Sequence, residues 1–176
     1  MDNFNTFGQN PGVDSIYKIS PQERKNSSVL IVEPDTTSRN NLRAIVKLLG
    51  FGLISDVPSH GLALTRLRER KFNYIFFDAR KTNVTPADFL SQLLKHDNDS
   101  VAIPMSSSPR VDDVFELFVI GAKGFLVKPF TADSVENAMI WAAKGEPISE
   151  AALYAKDRNE ALVAMMMTAI DNVATL

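Results

Sequence analysis

The chain has 176 residues, of which 45% are hydrophobic and 23% charged, and its formal net charge is −2 at pH 7. This composition is typical of a globular protein, and the slightly negative charge disfavours direct nucleic-acid binding, which usually needs a basic surface. No apolar run approaches the roughly 20 residues that span a bilayer, so we expect no membrane insertion. The absence of cysteine excludes disulfides and thiolate metal sites and fits a cytoplasmic protein. Neither His60 nor His96 has an acidic cluster around it in the sequence, so histidine-based metal ligation is not expected.

The first 27 residues differ in composition from the rest of the chain. They are rich in Asn, Gly, Pro, Ser and Gln, which is typical of segments that bury too little apolar surface to fold. Scattered apolar residues such as Phe4 and Ile16 leave local docking open, but the composition favours disorder. We therefore predict a flexible N-terminal arm over residues 1–27.

From Ser28 onward, short apolar segments alternate with segments of helical periodicity. The predicted strands cover residues 29–32, 53–57, 73–77, 101–105 and 124–127. Capping residues and apolar spacing predict helices that begin near residues 35, 59, 85, 108 and 131. Because strands that alternate with helices form a parallel sheet covered on both faces, the sequence predicts a doubly wound α/β domain over residues 28–145. Its ligand crevice is expected at the carboxyl ends of the strands.

Residues 146–176 form a C-terminal extension with its own apolar pattern. A helix-start signal at Ser149 precedes apolar residues that continue toward Leu176 and include consecutive methionines at 165–167. Such a methionine run is more often adaptable packing than a cofactor site. One helix is too little for a helix-turn-helix, and acidic residues outnumber basic ones here, so a DNA-binding helix is disfavoured. We predict a C-terminal helix that serves dimerisation or docking, or that begins a linker.

Polar residues follow four of the five predicted strands. They are Glu33 and Asp35 after the first strand, Asp78 after the third, Ser106 after the fourth and Lys128 after the fifth. Each alone has a simpler interpretation, as a helix cap, a backbone partner or a surface charge. Together, at one edge of a parallel sheet, they suit phosphoryl transfer to a carboxylate. That reaction needs an ionised nucleophile, acids that hold a divalent cation, and an ammonium and a hydroxyl that bind phosphoryl oxygens.

Residues 28–145 resemble the receiver domains of two-component response regulators. The most specific match is GAKGFLVKPFTADSV at 121–135, which is similar to the family's Gly-Ala-x-Gly-aromatic-x-x-Lys-Pro-Phe signature. The resemblance implies a flavodoxin-like, five-stranded parallel sheet of receiver type. It also implies a phosphoprotein of phosphorelay signal transduction and not an enzyme. Its expected partners are a histidine kinase or phosphotransfer protein and a downstream protein target.

The resemblance assigns a role to each residue that matches the family pattern. Asp78 corresponds to the aspartate that accepts phosphate, and Ser106 to the hydroxyl residue that moves to the phosphoryl group. Lys128 corresponds to the lysine that pairs with that group, and its bond to Pro129 to a cis peptide of the family. Phe125 corresponds to the aromatic residue that turns inward on activation.

The metal site that the resemblance implies departs from the family pattern. Its ligands would be Glu33, Asp35, Asp78 and the backbone carbonyl of Arg80, but Pro34 occupies the position of the family's second adjacent acid. Proline offers no side-chain ligand, and Asp35 would have to reach back toward the pocket. The Arg80 side chain either replaces part of the metal's charge or points to water, and pointing to water is commoner. We predict that Mg²⁺ binds weakly, in the millimolar range or worse, or is absent.

Two alternative functions remain open at this stage. A degenerate receiver would act as a phosphorylation-independent protein-binding module, which Pro34 favours and an intact Asp78 disfavours. A flavodoxin-like, flavin-binding redox protein is suggested by the hydroxyl-rich segment at 36–38. That segment lacks glycine, however, and the neighbouring acids would repel a flavin phosphate.

Two predicted helices carry apolar residues outside their core-facing stripes. They are Leu117, Val119 and Ile120 in the helix that ends at Gly121, and Ile140 and Trp141 in the helix that ends at Gly145. Packing beneath neighbouring loops is the simpler explanation, and a protein interface is the one we prefer. We therefore expect a homodimer through this face or through the C-terminal helix.

Overall fold

A computed structural model of the protein describes residues 18–145. In chain order its elements are α1 (Pro21–Asn26), β1 (Ser28–Val32), α2 (Thr36–Leu48), β2 (Leu53–Val57), α3 (His60–Glu69), β3 (Tyr74–Asp78), α4 (Pro86–His96), β4 (Val101–Ser106), α5 (Val111–Ile120), β5 (Leu126–Val127) and α6 (Ala132–Lys144). The predicted C-terminal helix and residues 1–17 of the predicted arm lie outside the described residues. Between residues 18 and 145, no helix is long and apolar enough to cross a membrane.

The five strands form one sheet in the order β2-β1-β3-β4-β5, and all four strand pairs are parallel. This confirms the predicted doubly wound architecture. From β1 the chain builds outward to β2 on one side and then through β3, β4 and β5 on the other, so the strand order reverses between β1 and β3. Open α/β sheets bind ligands at such a switch point, beyond the carboxyl ends of the strands. Glu33 and Asp78 lie at that point.

Two hydrophobic clusters cover the two faces of the sheet. In β1, Val29 and Ile31 belong to one cluster, whereas Leu30 and Val32 belong to the other, as the two-residue period of a strand requires. The first cluster packs the sheet against α2 and α6, and the second packs it against α3, α4 and α5. Every residue of β1 and β3 is buried, which explains the unbroken apolar runs at 29–32 and 74–77.

Local sequence signals fix most helix ends. Asp35, Ser59 and Thr85 accept backbone N–H groups as N-caps of α2, α3 and α4, as predicted. Gly50 and Gly121 follow α2 and α5 with φ of 96° and 138°, values that favour glycine.

The helix α5 begins later than predicted, at Val111 rather than near residue 108. The Ser108 N–H instead donates to the Ser106 hydroxyl at 3.1 Å, which closes a turn ahead of the helix. The strand β5 is also shorter than predicted, because it pairs with β4 only through Leu126 and Val127.

The apolar residues outside the core stripes of α5 and α6 are less exposed than the interface prediction assumed. Leu117 and Ile140 are buried, with 4% and 6% exposure, so the prediction was wrong for these two. Trp141 is half-buried and packs edge-to-face on Phe118 at 6.3 Å. Val119 stays exposed. The simpler explanation, packing against neighbouring elements, accounts for most of this apolar surface.

The flexible-arm prediction is wrong for residues 18–27. Ile19 is buried, and Arg24 anchors α1 through its guanidinium. Nε of Arg24 donates to the Ile19 carbonyl at 2.9 Å, while Nη1 donates to the Leu49 carbonyl at 3.0 Å and to the Glu136 carboxylate at 2.7 Å. Leu49 directly follows α2 and Glu136 lies in α6, so composition within the segment does not reveal these two partners.

We predict that Arg24→Ala lowers the free energy of unfolding by about 1–3 kcal/mol, because it removes hydrogen bonds of a charged group from a half-buried position. It should also increase amide hydrogen exchange in α1. Urea unfolding and exchange measurements test both effects. Lys25→Ala is the matched control, since Lys25 is an exposed cation of the same helix. Equal effects of the two substitutions would contradict the anchoring role.

Candidate functional site

Two buried carboxylates form the centre of the candidate site. Glu33 follows β1 and Asp78 ends β3, and each residue is only 1% exposed. Val32 and Phe77 are register partners in the adjacent strands, so the next residue of each strand lies at the same level of the sheet edge. Two carboxyl groups buried side by side need cations and hydrogen bonds to remain ionised.

Lys128 supplies one of those cations from the end of β5. Its ammonium donates to the Asp78 carboxylate at 2.5 Å and also to the Glu33 carboxylate, and its side chain is 12% exposed. Its backbone N–H donates to the Ser106 carbonyl at 2.9 Å, and its peptide bond to Pro129 is cis, as the resemblance implies. The structure thus joins Glu33, Asp78 and Lys128 in one cluster.

Arg80 supplies the second cation, contrary to the preferred expectation that its side chain points to water. The guanidinium contacts both Asp78 carboxylate oxygens, with Nε 3.0 Å from Oδ1 and Nη2 2.9 Å from Oδ2. Nη2 also donates to Glu33 Oε1 at 3.2 Å, and the Arg80 backbone N–H donates to Asp78 Oδ1 at 2.7 Å. Such two-point contact between guanidinium and carboxylate is among the stronger ionic hydrogen bonds in proteins.

The two carboxyl groups respond differently to this environment. Burial alone would raise the pKa of Asp78, but the hydrogen bonds from Arg80 and Lys128 outweigh it and hold that pKa well below its usual range. Burial raises the pKa of Glu33, and the hydrogen bond from Lys128 offsets only part of this effect. Asp78 is therefore an ionised carboxylate at neutral pH, as a nucleophile must be.

The side chains at the pocket do not fit the predicted Mg²⁺ site. The Asp35 carboxylate is exposed and accepts the Ser38 N–H at 2.8 Å, so it caps α2. In the described part of the chain, no three His, Cys, Asp or Glu side chains are grouped to hold a metal ion. The oxygens of Glu33 and Asp78 instead accept hydrogen bonds from Arg80 and Lys128.

The predicted switch residues lie beside the pocket. Ser106 ends β4 half-buried, and its hydroxyl accepts the Ser108 N–H. Phe125 precedes β5, is half-buried, and packs against the cluster between the sheet and α3, α4 and α5. The Lys128 N–H donates to the Ser106 carbonyl, which joins the ends of β4 and β5.

No sequence pattern indicates that His60 belongs to the site. It begins α3, is fully buried, and contacts the ring of Phe77 edge-on and the ring of Phe89 at a tilt. Its Nε2 lies 2.8 Å from the Asp78 carbonyl oxygen and its Nδ1 lies 2.7 Å from the Thr82 hydroxyl. Because a carbonyl only accepts, Nε2 carries the proton and Nδ1 accepts from the hydroxyl. His60 therefore holds both ends of the segment that carries Arg80, through partners that are distant in sequence.

We predict that His60 makes stability depend on pH. Burial lowers the pKa of His60, and its contacts with Asp78 offset only part of the shift. The unfolded chain therefore takes up a proton near pH 6.5 that the folded chain resists, and stability falls as pH falls through this region by at most about 1.4 kcal/mol per pH unit. Urea unfolding between about pH 7.5 and 5.5 measures this slope.

His96 provides the matched control for this experiment, because it is exposed at the end of α4. We expect His96→Gln to keep the native slope and His60→Gln to lose most of it. An unchanged slope in His60→Gln would show that the buried imidazole is not the group responsible.

Comparison with known proteins agrees with the fold and with the signature around Lys128. The family described as response regulator receiver domain matches residues 29–140. Chemotaxis protein CheY of Listeria monocytogenes serovar 1/2a is 28% identical over 116 residues, which cover 66% of this chain and 98% of that protein.

Solved structures show the same fold. Chemotaxis response regulator CheY4 of Vibrio cholerae superposes with a TM-score of 0.61 at 18% identity, covering 66% of this chain and 98% of that one. A CheX-CheY-BeF3-Mg²⁺ complex from Borrelia burgdorferi matches with a TM-score of 0.61 at 22% identity, covering 65% of this chain and 87% of that one. These matches favour neither the flavin-binding alternative nor the degenerate module. The chain belongs to the response regulator receiver domain family, whose members act in phosphorelay signalling.

Proposed function

We propose that this receiver domain accepts a phosphoryl group on Asp78 from a histidine kinase or phosphotransfer protein. The observation that carries the proposal is an ionised Asp78 carboxylate at the sheet switch point, within hydrogen-bond distance of two cations. Both cations donate to the carboxylate and are able to donate to phosphoryl oxygens as well. The pocket therefore combines a nucleophile with the charges that a transferred phosphoryl group needs.

The proposed reaction begins when an Asp78 oxygen leaves its hydrogen bonds and attacks the phosphorus of a phosphohistidine. The new O–P bond forms as the P–N bond breaks, and the imidazole leaves with the bonding electron pair and takes a proton from water. Lys128 then moves its hydrogen bonds from the carboxylate to the phosphoryl oxygens. Because the Lys128 side chain is only 12% exposed, little water competes for its ammonium.

Signalling is proposed to follow from this rearrangement. The Ser106 hydroxyl would leave the Ser108 N–H for a phosphoryl oxygen, and Phe125 would move into the space beside it. Because the Lys128 backbone is bonded to Ser106, the ends of β4 and β5 would shift together. The change is a shift in population between two states of this edge.

The output surface is proposed to include α5, β5 and α6. Val119 and Val127 are 44% and 40% exposed there, and they lie close in sequence to the switch residues. A downstream protein target, or a second copy of this chain, would read the surface. The C-terminal extension is a further candidate for self-association.

We predict that acetyl phosphate transfers one phosphoryl group to the native protein and none to Asp78→Asn, because an amide is not a carboxylate nucleophile. In this reaction the O–P bond to Asp78 forms as acetate leaves with the bonding electrons. Intact-protein mass spectrometry at neutral pH detects the product. Asp88→Asn is the control, since Asp88 is an exposed acid on α4 and should leave labelling unchanged. Persistent labelling of Asp78→Asn would refute the assignment.

A further inference from the structure

Arg80 is placed where a receiver pocket of this charge needs a cation. Its guanidinium spans the two buried acids, with two hydrogen bonds to Asp78 and one to Glu33. Its backbone N–H adds another bond to Asp78. The contact is therefore built from the side chain and the main chain of the same residue, two positions after the proposed nucleophile.

The charges in the pocket balance without a metal ion. With both acids ionised, Glu33 and Asp78 contribute two negative charges, and Lys128 and Arg80 contribute two positive charges at salt-bridge distance. An unpaired charge in such a buried position is strongly unfavourable. A divalent cation added to this set would leave the pocket with an excess of positive charge.

We propose that the Arg80 guanidinium takes the place of the divalent cation, so that the pocket is ordered and able to accept a phosphoryl group without Mg²⁺. Phosphoryl transfer without Mg²⁺, the phosphoryl half of this inference, rests on the function proposed above. Replacement of the divalent cation by Arg80, the metal half, does not depend on that function, because it concerns only what the two acids bind.

The oxygen atoms around the pocket support the exclusion of Mg²⁺. Mg²⁺ requires nearly octahedral oxygen coordination and is usually held by one or two carboxylates with several waters. Here Glu33 Oε1 and both Asp78 oxygens already accept hydrogen bonds from Arg80, and Pro34 offers no side-chain oxygen as a replacement. The Asp35 carboxylate caps α2. Mg²⁺ would therefore have to displace the guanidinium and to enter beside Lys128.

The Arg80 guanidinium is also suited to move from the Asp78 carboxylate to the phosphoryl oxygens during transfer. Its side chain is 63% exposed although its guanidinium contacts buried acids, so it is able to move without opening the core. When Asp78 becomes an acyl phosphate, its carboxylate charge is lost and the phosphoryl oxygens carry the negative charge instead. A guanidinium matches the geometry of phosphate oxygens as well as that of a carboxylate.

A Mg²⁺ titration followed by backbone amide NMR shifts at Glu33 and Asp78 tests the metal half. We expect no saturation of the native protein in the millimolar range, and at least about tenfold tighter binding in Arg80→Gln, which removes the competing charge. Arg80→Lys keeps the charge and should bind as weakly as the native protein. Lys81→Gln removes an exposed cation of the same loop and should also behave as native.

Two results of the titration would overturn the metal half. One is saturation of the native pocket at low millimolar Mg²⁺. The other is an equal gain in affinity in Arg80→Gln and Lys81→Gln, since this would reflect general charge and not occupation of the site. Thermal unfolding with and without Mg²⁺ gives a second measurement, because a bound ligand stabilises the folded state.

Acetyl phosphate labelling with Mg²⁺ or with EDTA tests the phosphoryl half. We expect equal labelling of the native protein in both buffers and labelling of Arg80→Gln only with Mg²⁺. Native labelling that stops in EDTA would overturn this half. If no variant is labelled in either buffer, the proposed phosphoacceptor function fails, while the Mg²⁺ titration still decides whether Arg80 occupies the metal position.

Discussion

Two acids removed from water at the ends of adjacent central strands constrain much of the surrounding structure. Glu33 and Asp78 are each 1% exposed, and each makes ionisation of the other less favourable. Lys128 and Arg80 offset this repulsion from the end of β5 and from the loop after β3. The positions of that strand end and that loop therefore depend on the charge of the pair.

The same dependence would let the proposed phosphorylation change the edge of the sheet. Phosphorylation of Asp78 would change which oxygens Arg80 and Lys128 contact. A shift of Lys128 would be transmitted to Ser106, because the Lys128 N–H donates to the Ser106 carbonyl. His60 Nε2 in turn contacts the backbone carbonyl of Asp78. The Asp78 backbone is thus held by His60, while its carboxylate is connected through Lys128 to the proposed output surface.

The sequence was sufficient for the features that depend on local patterns. Apolar segments of strand length and capping residues such as Asp35 and Thr85 predicted the sheet and most helix starts, because a cap bonds to the backbone only three residues away. The convergence of Glu33, Asp78 and Lys128 followed from the topology, since carboxyl ends of parallel strands meet at one edge.

The features that failed prediction depend on distant partners. Arg24 holds α1 through Glu136, which lies 112 positions away. The orientation of Arg80 depends partly on Glu33, 47 positions away, and His60 reaches the Asp78 carbonyl across 18 positions. In each case the residue type was visible in the sequence, but its partner became apparent only once the fold was known.

A crystal structure of the native protein grown in a high concentration of MgCl₂ tests the central claim most directly. The charge balance of the pocket predicts that the Arg80 guanidinium still contacts Asp78 and Glu33, with no octahedral ion between the acids. A Mg²⁺ ion bound to the Asp78 carboxylate and the Arg80 carbonyl, with the Arg80 side chain turned into solvent, would contradict it.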